Sequence, residues 1–357
     1  MKSLSKQKMH IPLGLFLKKH TCVNKNKMLI IWDDNIGDVV VIAGFINYLK
    51  KHNYDVWLIV REELRDVGAV LAGAQVIGLN PYLYRNTIRY RLNFLNKIRE
   101  MGFAVAVSSI LHSSVNIDIL ANCGARVRWA YKRNNSFKEK MRLRAATNIV
   151  KSLDYKINEL LCRSILDHLA HYLSGIAGKT VTEEEIIPKL DVPAEKYTPL
   201  TEIKYLLYLA DAGGPLREYP PHLALPVLKN FAAQNNLSLV VTAVRSVEIE
   251  EDENIINLTG RTALKEMISI ISGAQVVVGN ESGLTHLAWI MGKAVIMFYG
   301  GGHNGWFRPQ CITLSKQMPC FTCDWKCKYD ALPAPCIMVN SSEIKAALHM
   351  ALPEKER

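Results

Sequence analysis

The sequence lacks long hydrophobic runs. No apolar stretch approaches the ~20 residues that a helix needs to cross a bilayer, because the two longest, 294–299 and 11–17, are much shorter. It also shows no internal repeat of fixed short period, which argues against a solenoid or a propeller. The chain has 357 residues, of which 49% are hydrophobic and 22% charged. This composition is typical of a soluble globular protein, and the length is sufficient for two domains with separate cores.

The N-terminal segment lacks the small-residue cleavage site of a secretory signal peptide. Three lysines precede the apolar run at 11–17, but Lys18 and Lys19 follow it directly. We therefore predict a cytoplasmic protein in which residues 1–27 form a basic, partly apolar leader that can rest on an anionic membrane surface. A disordered or loosely packed tail is an equally good interpretation of the same residues.

The chain has a net charge of +11, and positive charge is dense at 85–99 and 126–144. A basic protein can favour nucleic acid, an anionic membrane surface or an acidic substrate. The sequence lacks the aromatic stacking platform of nucleic-acid-binding modules. We therefore predict no nucleic-acid partner, although a solvated surface role remains the first interpretation of any single Lys or Arg.

Strands alternate with helices along the chain, which predicts an α/β protein with parallel sheets and right-handed crossovers. Three prolines and few regular signals mark a linker between two α/β halves. The predicted organisation is a leader at 1–27, an N-terminal domain at 28–187, a linker at 188–203, a C-terminal domain at 204–340 and a C-terminal helix at 341–357. Within the first half, we predict one basic helical region at 84–101, an exposed loop or lid at 134–148 and a long helix at 157–177.

Residues 276–288 read Val-Val-Val-Gly-Asn-Glu-Ser-Gly-Leu-Thr-His-Leu-Ala. The valines are typical of a strand that is covered on both faces, and Leu284, Leu287 and Ala288 resume at helical spacing. Backbone N–H groups at the start of a helix that follows a strand form a phosphate site. The segment therefore predicts an anion site at the carboxyl edge of a sheet, without identifying the anion.

A cysteine cluster spans 311–336, in which Cys311 lies upstream of four more closely spaced thiols: Cys320, Cys323, Cys327 and Cys336. In a cytosolic protein, thiols at this spacing favour a metal over disulfides. Zn and Fe both accept thiolate ligands, so we predict a structural Zn or Fe site. Reduced thiols packed in a loop without metal are an equally supported alternative.

Four motifs follow one another along the chain: Ile-Gly-Asp-Val at 36–39, Arg-Glu-Tyr-Pro at 217–220, Asn-Leu-Thr-Gly-Arg-Thr-Ala-Leu at 257–264 and Asn-Glu-Ser-Gly-Leu-Thr-His-Leu-Ala at 280–288. Together they resemble glycosyltransferase family 9, the heptosyltransferases that build the inner core of lipopolysaccharide in Gram-negative bacteria. The resemblance implies a GT-B fold, in which two Rossmann-like domains with parallel sheets face each other across a cleft. The N-terminal domain would bind the acceptor and the C-terminal domain the nucleotide sugar.

The resemblance also implies the reaction. A heptose would move from ADP-heptose, with inversion, to the acidic, lipid-linked oligosaccharide of the inner core at the cytoplasmic face of the inner membrane. Asp38 matches the family's general base, which takes the proton of the attacking acceptor hydroxyl. A helix cap is the alternative role for Asp38, and the sequence leaves Asp33 and Asp34 open as other candidates for the base.

The leaving group would be a nucleoside diphosphate, and the sequence lacks an Asp-x-Asp metal motif placed to bind it. We therefore expect fixed dipoles and cationic side chains to hold the diphosphate, with no cofactor required for catalysis. Arg217 matches the Lys or Arg that the family places on the phosphates, and an ordinary surface Arg is its alternative. The helix start supplies the remaining predicted donors: Ser282, Gly283, Leu284 and Thr285.

Two residues of the last motif are predicted to complete the donor site. Glu281 stands where the family commonly has Asp, and we expect it to reach a sugar hydroxyl, which leaves the identity of the sugar open. His286 is interpreted as a packing or hydrogen-bonding residue of that site rather than a catalyst. The chain also departs from the family at 299–302, where Tyr-Gly-Gly-Gly replaces a Gly-Pro-Thr-like turn and predicts a more mobile loop.

Two other functions remain open at this stage. A cysteine cluster similar to that at 320–336 occurs in part of the family, including heptosyltransferases that modify autotransporter adhesins and bind iron there. A protein or another surface glycan is therefore an alternative acceptor, and another nucleotide sugar an alternative donor. The non-enzymatic alternative is a basic Rossmann-like protein that binds nucleotide or nucleic acid without chemistry.

Overall fold

The computed structural model describes most of the chain as two compact units. The described residues are 16–19, 24–110, 113–132, 143–151, 164–190, 197–250, 252–301, 310–320, 323, 325–329 and 331–352. The first unit contains the described part of Met1–Asp154 and Leu166–Pro188, and the second contains that of Tyr155–Ile165 and Lys189–Arg357. None of the described helices has the length and apolarity needed to cross a membrane.

The first unit has a parallel sheet in the order β3-β2-β1-β4-β5-β6. Its strands are β1 (Asn24–Ile31), β2 (Asp55–Arg61), β3 (Gln75–Leu79), β4 (Phe103–Ser108), β5 (Val127–Lys132) and β6 (Asn148–Lys151). Its helices are α1 (Ile36–Lys51), α2 (Arg65–Ala72), α3 (Pro81–Asn86), α4 (Ile88–Glu100), α5 (Ser114–Asn122) and α6 (Ile165–Ala177). Residues 28–31 are fully buried, because β1 lies in the middle of the sheet and is covered on both faces.

The second unit has a parallel sheet in the order β12-β11-β10-β7-β8-β9. Its strands are β7 (Tyr205–Leu209), β8 (Ser238–Thr242), β9 (Ile255–Asn257), β10 (Val276–Asn280), β11 (Ala294–Phe298) and β12 (Ile312–Leu314). Its helices are α7 (Pro221–Gln234), α8 (Leu264–Gly273), α9 (Gly283–Ile290) and α10 (Ser341–Ala351). The three valines of β10 are fully buried, as expected for the central strand of a doubly covered sheet.

Both sheets have the same strand order. When the strands of each unit are numbered from its own first strand, both sheets read 3-2-1-4-5-6. In this order, successive strands are added toward one edge of the sheet up to strand 3 and toward the other edge from strand 4 onward. Ligands bind at this switch point, beside the carboxyl ends of strands 1 and 4. The order therefore locates two candidate ligand edges, one beyond β1 and β4 and one beyond β7 and β10.

Several predicted elements differ from the structure. The helical region at 84–101 is two helices, because Thr87 adopts an extended conformation between α3 and α4. The predicted loop at 134–148 ends in β6, which begins at Asn148; residues 133–142 lie outside the described part. The predicted helix at 157–177 is described from Ile165 onward, and its first seven residues lie outside the described part.

The predicted leader and the two chain ends are described only in part. Residues 1–15, 20–23 and 353–357 lie outside the described residues, and β1 already begins at Asn24. Within the leader, the Lys18 N–H donates to Asn96 Oδ1 at 2.8 Å, and Lys18 Nζ pairs with Glu100 on α4. The described part of the leader therefore packs on α4, while α10 forms the described part of the predicted C-terminal helix.

Candidate functional site

The carboxyl edge of the first sheet carries three aspartates. Asp33 and Asp34 follow β1 directly, and Asp38 is the third residue of α1. Asp38 is half-buried, and its Oδ2 accepts a hydrogen bond from the Asn35 N–H at 3.3 Å. The contact is of the capping type, in which a carboxylate near a helix start accepts from the N-cap backbone. Asp38 thus has the predicted alternative role as a helix cap and still lies at the ligand edge.

The two neighbouring carboxyl groups both have a raised pKa. Asp33 is buried and accepts hydrogen bonds from Ser113 Oγ at 3.2 and 3.3 Å. Burial raises the pKa of Asp33, and the hydrogen bond from Ser113 opposes that shift. Burial also raises the pKa of Asp34 well above its usual value, and the charges of Asp38 and Asp33 raise it further. Asp33 is therefore the least accessible of the three, whereas Asp34 and Asp38 are both half-buried.

In the second unit, the next-to-last residue of β10, Gly279, lies where a larger residue would collide with its neighbours. A Cβ at Gly279 would lie 2.6 Å from Thr285 Oγ1 and 3.0 Å from Leu209 Cβ. Thr285 is buried, and its hydroxyl donates to the Asn280 carbonyl at 2.6 Å and lies 3.2 Å from Ser282 Oγ. The Thr285 hydroxyl therefore holds the turn between strand and helix.

Asn280 joins β10 to the loop that follows β7. Its side chain is buried; Oδ1 accepts from the Tyr219 N–H at 2.8 Å, and Nδ2 donates to the Ala210 carbonyl at 3.0 Å. The ring of Tyr219 stacks on Phe298 of β11, with centroids 4.2 Å apart. The first two N–H groups of α9 belong to Gly283 and Leu284, which are half-buried and lie at this edge. Helix starts attract anions.

Arg217, Glu281 and His286 meet at the same edge. Arg217 Nη1 donates to Glu281 Oε2 at 3.1 Å, and His286 Nε2 lies 3.3 Å from Glu281 Oε1. The side chains of Arg217, Glu281 and His286 are 38%, 16% and 5% exposed, respectively. Both oxygens of Glu281 are thus engaged by protein side chains, so the extra methylene relative to Asp allows one carboxylate to reach two partners. The structure brings together all the predicted donor-site residues of the second half.

A further acidic pair at this edge was not predicted from the sequence. Asp211 follows β7, and its Oδ2 accepts from the Val244 N–H at 2.6 Å. Burial raises the pKa of Asp211. Glu218 Oε1 accepts from Arg245 Nη2 at 2.8 Å. A carboxylate directly after a strand was the available signal for Asp211, whereas the pairing of Glu218 with Arg245 depends on loop conformation.

The four predicted metal-binding cysteines line one small cavity, together with Trp325 and Met318. Burial raises the pKa of the Cys323 and Cys336 thiols, and the other thiols of the cluster raise it further. The donor set is chemically suitable for Zn or Fe. However, the described residues contain no group of three or more His, Cys, Asp or Glu side chains arranged to hold a metal ion. The cysteines are of a suitable ligand type for such an ion and line one cavity. Their sulfur atoms, however, do not converge on a common point.

The glycines beside the cysteines serve close packing. A Cβ at Gly300 would lie 2.5 Å from Cys336 Sγ, and a Cβ at Gly301 would lie 2.9 Å from Cys323 Sγ. The Trp325 N–H donates to the Gly301 carbonyl at 2.8 Å. The glycines that replace the family's turn are therefore explained by the cysteines packed on them, while Gly302 lies outside the described residues.

Comparison with known proteins finds one matching family model and one common fold. Residues 235–330, about a quarter of the chain, match the family model described as glycosyltransferase family 9 (heptosyltransferase). This segment contains the motifs at 257–264 and 280–288, so the resemblance predicted from the sequence is confirmed there. No curated protein matches the chain in sequence.

Solved structures extend the similarity to more than nine-tenths of the chain. A family 9 glycosyltransferase of Veillonella parvula is similar with a TM-score of 0.72 at 14% identity, over 94% of this chain and 99% of that one. The ADP-heptose lipopolysaccharide heptosyltransferase II of E. coli is similar with a TM-score of 0.69 at 15% identity, over 93% and 100%. The iron-containing dodecameric heptosyltransferase TibC of enterotoxigenic E. coli, in complex with ADP-D-β-D-heptose, gives 0.52 at 9% identity, over 94% and 77%.

These similarities confirm the predicted α/β fold, with two parallel sheets of the GT-B type. The family match and the fold together support a glycosyltransferase.

Proposed function

We propose that the protein is an inverting glycosyltransferase that moves a heptose from ADP-heptose to the inner-core oligosaccharide of lipopolysaccharide. The observation that carries this proposal is the ion pair of Arg217 with Glu281, two residues before α9 begins, at the reversal point of the second sheet. A cation and helix N–H groups at such an edge suit a diphosphate. The E. coli enzyme with the same fold is an ADP-heptose lipopolysaccharide heptosyltransferase.

The proposed reaction divides between the two sheet edges. Asp38 takes the proton of the acceptor hydroxyl as its oxygen bonds to the anomeric carbon. The bond between that carbon and the diphosphate oxygen breaks, and its electron pair leaves with ADP. Arg217 and the N–H groups of Gly283 and Leu284 stabilise the charge that develops on the departing phosphate. Attack from the face opposite the leaving group inverts the anomeric configuration.

Glu281 has a different role in this proposal from the sugar contact expected at first. Because its carboxylate oxygens bind Arg217 and His286, Glu281 orients the cation that meets the diphosphate. A carboxylate has about four acceptor positions, so a sugar hydroxyl can still donate to Glu281 without displacing either partner. His286 then contributes by orienting Glu281, in keeping with its interpretation as a hydrogen-bonding residue.

The acceptor and location are part of the proposal. The net charge of +11 suits an acidic, lipid-linked acceptor and peripheral contact with the anionic cytoplasmic face of the inner membrane. The proposed domain assignment places acceptor binding in residues 28–187 and donor binding in 204–340, joined by 188–203. No nucleic-acid partner is proposed.

The test is nucleotide release. Purified protein given ADP-heptose and heptose-deficient lipooligosaccharide is expected to liberate ADP and to add one heptose by mass spectrometry. Asp38→Asn should lower turnover at least ~100-fold, the lower end of the range for general acid–base catalysis, while ADP binding persists. Asp66→Asn is the matched control, because Asp66 is an exposed carboxylate in the first turn of another helix of the same unit. Normal turnover by Asp38→Asn would exclude Asp38 as the base.

The cysteine cluster favours a second acceptor class. A protein acceptor such as an autotransporter adhesin is the alternative. The resemblance to family 9 implies a similar cysteine cluster in the family members that modify adhesins, and the structurally similar TibC is iron-containing. A screen of lipid and protein acceptors with mass spectrometry of the products separates the two. If no nucleotide sugar turns over but nucleotide binds, the non-enzymatic alternative applies.

For the metal, Cys320, Cys323, Cys327 and Cys336 would hold a structural Zn or Fe ion. Its chemistry would be confined to stabilising the loop, since no cofactor is proposed for catalysis. Protein purified under reducing conditions should contain about one metal ion per chain by elemental analysis, and Cys323→Ser should lose it. Metal-free protein in which all eight cysteines of the chain titrate as free thiols after denaturation would instead establish packed, reduced cysteines.

A further inference from the structure

Arg217 is held on two sides by residues of different segments. Its guanidinium lies over the Trp325 ring, with Cζ 5.3 Å from the ring centroid, and its Nη1 donates to Glu281 at 3.1 Å. A cation within about 6 Å of an indole face is attracted by the ring electrons. The carboxylate binds one nitrogen of the guanidinium and the indole lies beside its central carbon, so the two contacts together restrict how Arg217 can point.

The same loop also holds the backbone next to Arg217. The Ala334 N–H donates to the Leu216 carbonyl at 3.3 Å. The Leu216 side chain packs against a small buried cluster of Ala334, Cys336 and Ile337. Residues 215–217 form a short 3-10 turn that is held by the 325–337 segment through a side-chain contact, a hydrogen bond and the indole of Trp325.

Trp325 itself has an unusual backbone. Its φ is 56°, in the left-handed region that bulky residues rarely adopt. Its N–H bonds to the Gly301 carbonyl, and a Cβ at Gly300 would lie 3.1 Å from Trp325 Cη2. The indole is therefore fixed against the glycines on one side. Strained residues of this kind persist where the surrounding structure enforces them, often at functional sites.

We infer that Trp325 is a positioning residue of the donor site, and that the cysteine loop sets the orientation of Arg217 toward a nucleoside diphosphate. The inference rests on the proposed function. Trp325 need not touch the substrate, because it acts through Arg217. The loop that contains the four cysteines thereby gains a part in donor binding in addition to its structural part.

The test compares two aromatic residues of the same cavity. Trp325→Leu removes the face under Arg217, Trp325→Phe keeps an aromatic face, and Tyr329→Leu is the matched control because Tyr329 lines the cavity without a described contact to Arg217. We expect Trp325→Leu to weaken ADP binding about five- to tenfold, from the size of one cation–aromatic contact, and to raise the donor KM more than it lowers kcat. Trp325→Phe should retain most of the affinity, and Tyr329→Leu nearly all of it.

A second readout does not depend on nucleotide. Modification of Arg217 by phenylglyoxal, followed by peptide mass spectrometry, should be faster in Trp325→Leu than in wild-type protein and unchanged in Tyr329→Leu. Equal modification rates in Trp325→Leu and wild type, or equal loss of ADP binding in Trp325→Leu and Tyr329→Leu, would overturn the inference. Faster modification with no ADP binding by the wild type would refute the donor site of the proposed function instead, while the contact between Trp325 and Arg217 would stand.

Discussion

Replacing Arg217 is the most direct test of the proposed donor edge, the carboxyl edge of the second sheet beyond β7 and β10. If Arg217 binds the diphosphate as proposed, Arg217→Gln removes a charged hydrogen-bond donor, which contributes about 1.5–3 kcal/mol. Because about 1.4 kcal/mol corresponds to a factor of ten, this loss alone weakens ADP binding about 10- to 100-fold. The substitution also leaves the Glu281 carboxylate, whose side chain is 16% exposed, without its cationic partner beside the phosphate.

The unpaired carboxylate adds a second, separable effect. Two unit charges about 6 Å apart interact by about 3 kcal/mol at an effective dielectric constant of ~20, and solvent screening at a partly exposed site reduces this to about 1 kcal/mol. Glu281→Gln removes that repulsion. We therefore expect the double variant Arg217→Gln/Glu281→Gln to bind ADP about fivefold more tightly than Arg217→Gln alone.

The assay is titration calorimetry with ADP on the wild type, both single variants and the double variant. Arg65→Gln is the matched control, since Arg65 pairs with Glu62 at 3.6 Å in an exposed ion pair of the other unit, and its ADP affinity should equal that of the wild type. Glu281→Gln alone should change the affinity by less than about threefold, because lost orientation and relieved repulsion oppose each other. A double variant no better than Arg217→Gln would refute the proposed repulsion, and an unchanged Arg217→Gln would refute the phosphate contact itself.

Two further outcomes concern stability. Burial raises the pKa of Asp34 in the folded protein above its ordinary value of 3.8. The contribution of Asp34 to the free energy of unfolding is therefore fully present below pH 3.8 and is lost as the pH rises through the folded pKa. Asp34→Asn should raise Tm at pH 7 relative to wild type, with a gain that shrinks toward pH 4, whereas Asp66→Asn should show no such trend. If the gain in Tm were the same at all pH values, ionisation of the buried Asp34 carboxyl group would not be its cause. Gly279→Ala should lower the free energy of unfolding by about 1–3 kcal/mol through overpacking, because its Cβ would meet Thr285 Oγ1 at 2.6 Å. Gly213→Ala is the control, because a Cβ at Gly213 would have no heavy atom within 4 Å. Equal urea midpoints for the two variants would contradict the tight turn.

The sequence predicted the parts of the fold that depend on local pattern. The strand, turn and helix at 276–288 are present as β10 and α9, because β-branched residues and helical spacing act over a few residues. The break at Thr87 was missed, since no proline or glycine interrupts 82–101 and the extended conformation arises from the end of α3. The strands β6 and β12 were missed because each has at most four residues and lies at a sheet edge.

The donor edge was predictable as a set of residues but not as a network. The motifs identified Arg217 and Glu281 separately, whereas their ion pair joins residues 64 positions apart. Trp325 was missed altogether, because its contact with Arg217 follows from an irregular loop that no periodicity describes. The cysteine spacing correctly predicted that the four thiols lie close together, since they line one cavity. The spacing does not determine whether the sulfur atoms converge, because that depends on loop conformation.

The bond from the Tyr219 N–H to the buried side chain of Asn280 makes this amide a natural reporter. Backbone amides in irregular loops usually exchange their hydrogens quickly with deuterated water, because small local openings expose them. The Tyr219 amide lies outside regular secondary structure, yet its acceptor is a fully buried side chain and its ring is stacked on β11. Its exchange requires separation of the loop from β10, so its protection factor measures the opening of the sheet edge at which the donor is proposed to bind.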